Sequence, residues 1–166
     1  MQASGAIISD CFISNSGFGI RLSKNTENAP ASDTLIRSVI FDQNLTDIEF
    51  QSVSNVIVSD CISFLALNSF YFNADGAGNS DVQVNNCQFN YSRSASVLCN
   101  NPNGNKNIQF TNCSFMLNEQ FPGFIGFVYI GSSAGSVEFF FKSCNFRNWN
   151  MVCRYSYFKL LGYQKH

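Results

Sequence analysis

The stretch Val82-Gln83-Val84-Asn85-Asn86-Cys87-Gln88-Phe89 returns as Ile108-Gln109-Phe110-Thr111-Asn112-Cys113-Ser114-Phe115. Both copies read apolar, polar, apolar, two polar, Cys, polar, Phe. This alternation describes a strand with one buried face, because successive side chains point to opposite sides. Residues 6–13, 56–61 and 139–146 fit the same pattern, although Phe64 arrives one residue late. Residues 34–41 are the weakest copy, with Val39 in the Cys slot. That slot falls at 11, 39, 61, 87, 113 and 144, at intervals of 28, 22, 26, 26 and 31 residues.

A second alternation follows most copies: Phe18-Gly19-Ile20-Arg21-Leu22, Ile48-Glu49-Phe50, Phe70-Tyr71-Phe72, Val97-Leu98-Cys99 and Phe127-Val128-Tyr129. One such repeat cannot bury its own apolar face, whereas stacked repeats close a continuous core. The pattern predicts an all-β chain, a parallel β-helix of about six coils. Residues 1–150 supply the coils and residues 151–166 a final strand or cap. Polar stretches at 23–33, 73–81, 100–107 and 118–126 read as loops. Asp75-Gly76 and Pro102-Asn103-Gly104 carry turn chemistry.

In this alignment Cys11, Cys61, Cys87 and Cys113 face inward as a column, with Val39 between them. Phe41, Phe89, Phe115 and Phe146 form an aromatic column beside it. The 18 phenylalanines suit a tube interior better than a surface. Seven cysteines is an odd number. Stacked at about 4.8 Å they read as inert buried thiols, which implies folding in a reducing compartment.

The motif V-x-V-x-N-C-x-F, with Asn or Asp before a buried small residue, resembles right-handed β-helix proteins of the pectate-lyase-like group. Within that group it looks most like bacteriophage tailspikes, which join such coils with polar, Asn/Ser-rich loops. The resemblance covers residues 4 to about 150, and no catalytic motif of the family is visible. It implies a homotrimer in the phage tail of the virion, assembled in the host cytoplasm, acting on a bacterial surface polysaccharide. The pattern starts at once at Ile7, so the chain is expected to be a piece of a longer β-helix.

Several function classes are disfavoured. Net charge is -1 and only 13% of residues are charged, whereas nucleic-acid binding needs a clustered basic face. No run of about 18 apolar residues could span a membrane. No basic segment leads into an apolar stretch at the N-terminus. His166 is the only histidine, which removes Ser-His-Asp and Cys-His chemistry. Without a Cys-x-x-Cys pair or an internal His, no metal or cofactor is expected. Asn44, Asn90 and Asn112 head glycosylation-acceptor triplets that composition alone explains.

Carboxylates remain. Asp47, Glu49 and Gln51 alternate with Ile48 and Phe50, which predicts that they point outward. Asp47 and Glu49 would then lie about 6.8 Å apart along the strand, near the separation that inverting glycosidases use. Asp47 is the candidate acid and Glu49 the candidate base, since Arg21 on the adjacent coil favours an ionised Glu49. Arg21, Glu49 and Tyr71 occupy one outward slot on three successive coils, and Asn73 stacks beside Gln51. Arg21, Gln51, Tyr71 and Asn73 are the candidate saccharide-binding residues, because sugars are held by aromatic faces and planar polar groups. The same residues also suit an ordinary solvated face, with Arg21 and Glu49 as a surface ion pair.

A second outward surface is apolar: Ile7, Leu35 and Ile57 at one slot, Phe12, Ile40 and Ile62 at another. The resemblance makes this the candidate trimer seam. Three functions stay open. The first is a tailspike-like segment that binds a polysaccharide, with cleavage if Asp47 and Glu49 act as a pair. The second is a purely structural segment of a virion or surface fibre. The third is a pectate-lyase-like enzyme, disfavoured because no cluster of outward carboxylates exists.

Overall fold

A computed structural model describes residues 5–24, 29–74, 78–101, 104–116, 123–130, 137–147 and 159–161. Three strands recur in fixed order. The first round is β1 (Ile7–Ser9), β2 (Phe12–Ser14) and β3 (Phe18–Ser23). The second is β4 (Ala31–Arg37), β5 (Ile40–Asp42) and β6 (Thr46–Gln51). Then come β7 (Val53–Ser59), β8 (Ile62–Phe64) and β9 (Asn68–Asn73). They are followed by β10 (Asn79–Asn85), β11 (Gln88–Asn90) and β12 (Ala95–Asn101). The next round is β13 (Asn105–Thr111), β14 (Ser114–Met116) and β15 (Gly126–Ile130). Last are β16 (Phe139–Lys142) and β17 (Asn145–Arg147), and β18 (Lys159–Leu161) pairs with β16 as the first strand of a further round.

Each strand pairs in parallel with its counterpart one round on. This gives a seven-stranded sheet from β1 to β18, a six-stranded sheet from β2 to β17 and a five-stranded sheet from β3 to β15. The chain is a parallel β-solenoid of about four turns, with no helix among the described residues. The repeat of the sequence is therefore one turn of the tube. Residues 148–158, which hold Cys153 and part of the expected closing segment, lie outside the described residues. So do Asp75 and Gly76.

The corners explain why Asp, Asn and Ser precede the Cys slot. Asp10, Ser38, Asp60, Asn86, Asn112 and Ser143 all adopt φ between 52° and 55°. That left-handed conformation is costly for most residues and least so for Asn and Asp, whose short polar side chains bond locally. A single such residue turns the chain from the first sheet into the second. A second left-handed column, Asp33, Asn55, Asp81 and Asn107, interrupts β4, β7, β10 and β13. It works as a bulge, so inward residues are three apart across it, as at Val53 and Val56, and two apart beyond it, as at Val58. The bulge hides the first part of each strand from a two-residue count. For that reason β4, β10 and β13 begin inside stretches 23–33, 73–81 and 100–107, which the sequence pattern assigned to loops.

Side chains in these columns bond from coil to coil. Asn55 Nδ2 donates to Asp33 Oδ1 at 2.5 Å, and Asn107 Nδ2 to Asp81 Oδ1 at 2.6 Å. Asn86 Nδ2 donates to Asp60 Oδ1 at 3.2 Å. In the bulge column Asn alternates with Asp, which gives Asp33 and Asp81 a donor and keeps those two charges two coils apart.

Ten of the twelve largest fully buried side chains are phenylalanines, so aromatic stacking dominates the core. Phe89, Phe115 and Phe146 stack face to face at 4.6 Å steps. Phe50 stacks on Phe72 at 4.5 Å and Phe110 on Phe141 at 4.7 Å. Parallel register forces these near-sandwich stacks, and edge-on contacts such as Phe70 with Phe89 tie the columns together. Burying each such ring contributes roughly 1.5–3 kcal/mol.

Phe64 does not join the Phe column. Ser63 takes its slot, in register with Phe41 and Phe89, and Phe64 points outward. Of the expected thiol column Cys61, Cys87 and Cys113 are buried and unbridged, and Cys144 extends it. Cys11 shares the slot but is only half-buried. Gly78 is required by geometry: its φ is +82°, and an added Cβ would meet the Gly104 carbonyl oxygen at 2.2 Å.

Hydrogen bonding along the column and burial push the Cys87 and Cys144 thiols up. The same hydrogen bonds pull Cys61 and Cys113 down, and enclosure is what keeps all four from a reagent. We expect a thiol reagent to modify Cys11 in the native protein while Cys61, Cys87, Cys113 and Cys144 wait for unfolding. Mass spectrometry of the labelled chain reads this directly. Rapid native labelling of all four would refute their inward placement. Cys87→Leu should overpack the column and cost about 1–3 kcal/mol in a denaturation curve.

Candidate functional site

The five-stranded sheet positions the candidate residues. Arg21 on β3, Glu49 on β6 and Tyr71 on β9 are direct register partners. The slot continues through Leu98 on β12 to Tyr129 on β15. Ile20, Ile48, Phe70, Val97 and Val128 turn the other way and are buried. In β15 the inward pair is thus Val128 and Ile130, one residue later than the alternation Phe127-Val128-Tyr129 suggested.

Glu49 is the centre of this row. Its side chain is only 4% exposed although it lies on the outer face. Arg21 Nε donates to Oε2, and Asn73 Nδ2 donates to Oε1 at 3.1 Å. The Arg21 guanidinium lies 3.8 Å from the centre of the Phe18 ring, a cation–π contact that holds it over the sheet. Both carboxylate oxygens are therefore engaged, and Arg21, half exposed, is the charged group offered to solvent. Tyr71, Gln51 and Asn73 are half-buried on the same face. Among the described residues no group of three or more His, Cys, Asp or Glu is placed to hold a metal. Nor is any helix long and apolar enough to cross a membrane.

Asp47 is not on this face. Its slot holds Gly19, Asp47, Ser69, Ser96 and Phe127 on successive strands. Phe127 packs on Phe115 and Phe146, and a Cβ on Gly19 would lie 3.1 Å from the Phe41 ring. The slot opens into the interior corner between the second and third sheets. Asp47 is 0% exposed. The expectation that Asp47 and Glu49 project side by side is overturned: strict alternation fails at the start of β6, where Thr46 to Phe50 are all buried.

Inside that corner lies a polar column that the alternation did not reveal. Asn44, fully buried, accepts from the Ser16 amide at 2.9 Å and donates to the Ile13 carbonyl at 3.2 Å and to Asp47 Oδ1 at 2.9 Å. Ser63 Oγ donates to Ser69 Oγ at 2.7 Å; Ser69 bonds Ser92 at 2.8 Å, and Ser92 bonds Ser96 at 3.1 Å. All four serines are buried. The sequence clue was Ser63 itself, a serine where the neighbouring coils carry Phe. At the third corner Asn79 and Asn105 form a second buried pair, joined at 2.7 Å.

Burial pushes the Asp47 carboxyl up from 3.8 to about 7. Ser63 and Asn44 pull it down by less, and Asp42 adds to the rise. Oδ2 accepts no hydrogen bond of ordinary geometry, and the Ser63 hydroxyl is directed to Ser69. A proton on Asp47 removes the cost of a buried charge.

Comparison with protein-family models, with curated proteins and with solved structures finds no match for this chain.

The folded carboxyl holds its proton more tightly than the unfolded one, so the folded state carries more protons between pH 4 and pH 7. Stability should fall as pH rises through that window, by on the order of 4 kcal/mol. Asp47→Asn should flatten this dependence and be more stable than the parent at pH 8. Urea denaturation at several pH values decides it, and an unchanged slope in the variant would place the titrating group elsewhere.

Proposed function

We propose that this solenoid is a segment of a right-handed β-helix of about six coils, tailspike-like, that binds a bacterial surface polysaccharide without cleaving it. The single observation that carries the proposal is the outer row of the five-stranded sheet. Arg21, Glu49 and Tyr71 stand in register, with Asn73 locked onto Glu49 and Tyr129 two strands beyond Tyr71. Tyrosine faces about two strand spacings apart, near 9.6 Å, flanked by a guanidinium and amides, suit an extended glycan lying across the strands. Binding is favoured over hydrolysis because an acid–base pair needs two carboxyl groups at one substrate. Among the described residues Glu49 is the one carboxylate on this face, and Asp47 is enclosed.

In this proposal the apolar outer surface of the first coils is the seam of a homotrimer, within a phage tail assembled in the host cytoplasm. Ile7, Phe12, Ile40 and Ile57 are exposed there. Ile7, Leu35 and Ile57 stack in register, as do Phe12, Ile40 and Ile62. A second reading, a structural fibre segment with no ligand, is favoured by one fact: both oxygens of Glu49 are already satisfied within the chain.

A glycan array probed with the assembled protein separates the two. Binding to one class of surface polysaccharide is expected. Tyr71→Ala should weaken it about fivefold, as expected for losing about 1 kcal/mol of ring contact, while Asp47→Asn leaves it unchanged. An array with no binding would leave the structural reading.

A further inference from the structure

A second feature lies on the seven-stranded sheet, away from the Arg21–Tyr71 row. A depression of about 200 Å³ is lined by Asn107, Gln109, Phe110, Thr111, Phe140 and Lys142. Gln109 and Thr111 on β13 pair with Phe140 and Lys142 on β16. These four form a square of about 4.8 by 6.8 Å on adjacent strands. Earlier coils do not repeat it: the Phe140 slot holds Leu35, Ile57 and Gln83, and the Lys142 slot holds Arg37, Ser59 and Asn85.

The Gln109 amide of this square is fixed in advance through Asn107. Gln109 Nε2 donates to Asn107 Oδ1 at 2.7 Å, and Asn107 Nδ2 donates to Asp81 Oδ1 at 2.6 Å. The Asn107 amide donates to Glu138 Oε2 at 3.3 Å. Asp81 and Glu138 are thus both engaged by Asn107, and neither lines the depression. Lys142 is exposed and, among the described residues, has no carboxylate partner. Phe140 is half-buried, an aromatic wall beside it.

We propose that this depression is a subsite for one negatively charged sugar unit. The Phe140 ring packs on the sugar face, the Gln109 amide and Thr111 hydroxyl meet ring hydroxyls, and Lys142 neutralises the anion. The charge is a carboxylate or a phosphate ester; the chemistry at Lys142 is shared. The volume, below the usual range for small-molecule pockets, holds a single ring of a longer chain. The proposal deepens the polysaccharide-binding reading and rests on it for its setting, but it uses a different sheet.

The test is ligand-observed NMR titration of the full chain with methyl glucuronide, glucose 6-phosphate, methyl glucoside and inorganic phosphate. At least one of the two anionic sugars should bind about tenfold more tightly than the neutral glucoside, and which one binds identifies the charge. Lys142→Met should reduce that preference to within twofold. Phe140→Gln should weaken the anionic sugar, and Tyr71→Ala should leave it unchanged. Equal binding of glucoside and both anionic sugars, or an unaltered preference in Lys142→Met, overturns the subsite. Inorganic phosphate binding as tightly as the sugars overturns it too, since the site then holds an adventitious ion only. Loss of the preference in Tyr71→Ala would move the anionic site to the other sheet. Failure of Tyr71→Ala to affect the glycan array, with the Lys142 preference intact, would overturn the wider reading and keep the subsite.

Discussion

Each coil of this protein is stabilised by the coils above and below it. The strands bond only to their counterparts one turn away, and in the seven-stranded sheet β4 pairs with β1 and β7 but with no strand of its own turn. Register is therefore the controlling constraint. A one-residue slip would turn a whole strand inside out. The left-handed corners at Asp10, Ser38, Asp60, Asn86, Asn112 and Ser143 set that register, because each fixes where one sheet ends and the next begins.

Once register is fixed, like stacks on like, and each slot becomes a column whose chemistry is decided by its members together. Small thiols make one column and aromatic rings another. Departures from a column are then informative. Ser63 in the Phe slot opens space that Ser69, Ser92 and Ser96 fill with hydroxyls, and Asp47 joins the same corner. A buried polar group without full pairing costs stability, so this corner is the part of the core most sensitive to pH. On the outside, the same stacking places Arg21, Glu49 and Tyr71 in a row, although they are 22 or more residues apart in the chain.

Much of this was legible in the sequence because the corner residue, the Cys slot and the second alternation each repeat once per turn. From those, the parallel pairing and the inward columns follow, as does the register of Arg21, Glu49 and Tyr71. What was not legible has two physical causes. The bulge at Asp33, Asn55, Asp81 and Asn107 adds a residue to the strand, so a period of two loses the first part of β4, β10 and β13. At the entry to the third sheet the chain is still turning, and Asp47 and Ile48 are both buried there. A carboxylate at an apparently outward position was thereby read as a partner for Glu49. The Asn44–Asp47 bond and the serine column are contacts between coils, and no single repeat contains them.

The central claim, parallel stacking in a fixed register, is tested most directly by distances between equivalent slots. Ile7, Leu35, Ile57, Gln83, Gln109 and Phe140 occupy one outward slot on successive strands. Nitroxide labels attached by a chemistry that spares thiols, at Leu35 with Phe140 and at Ile7 with Phe140, can be measured by pulsed electron resonance. The stacking predicts backbone separations of about 19 and 24 Å, one strand spacing of about 4.8 Å apart. Separations that do not increase by that step, or that shrink for the pair farther apart in sequence, would contradict it.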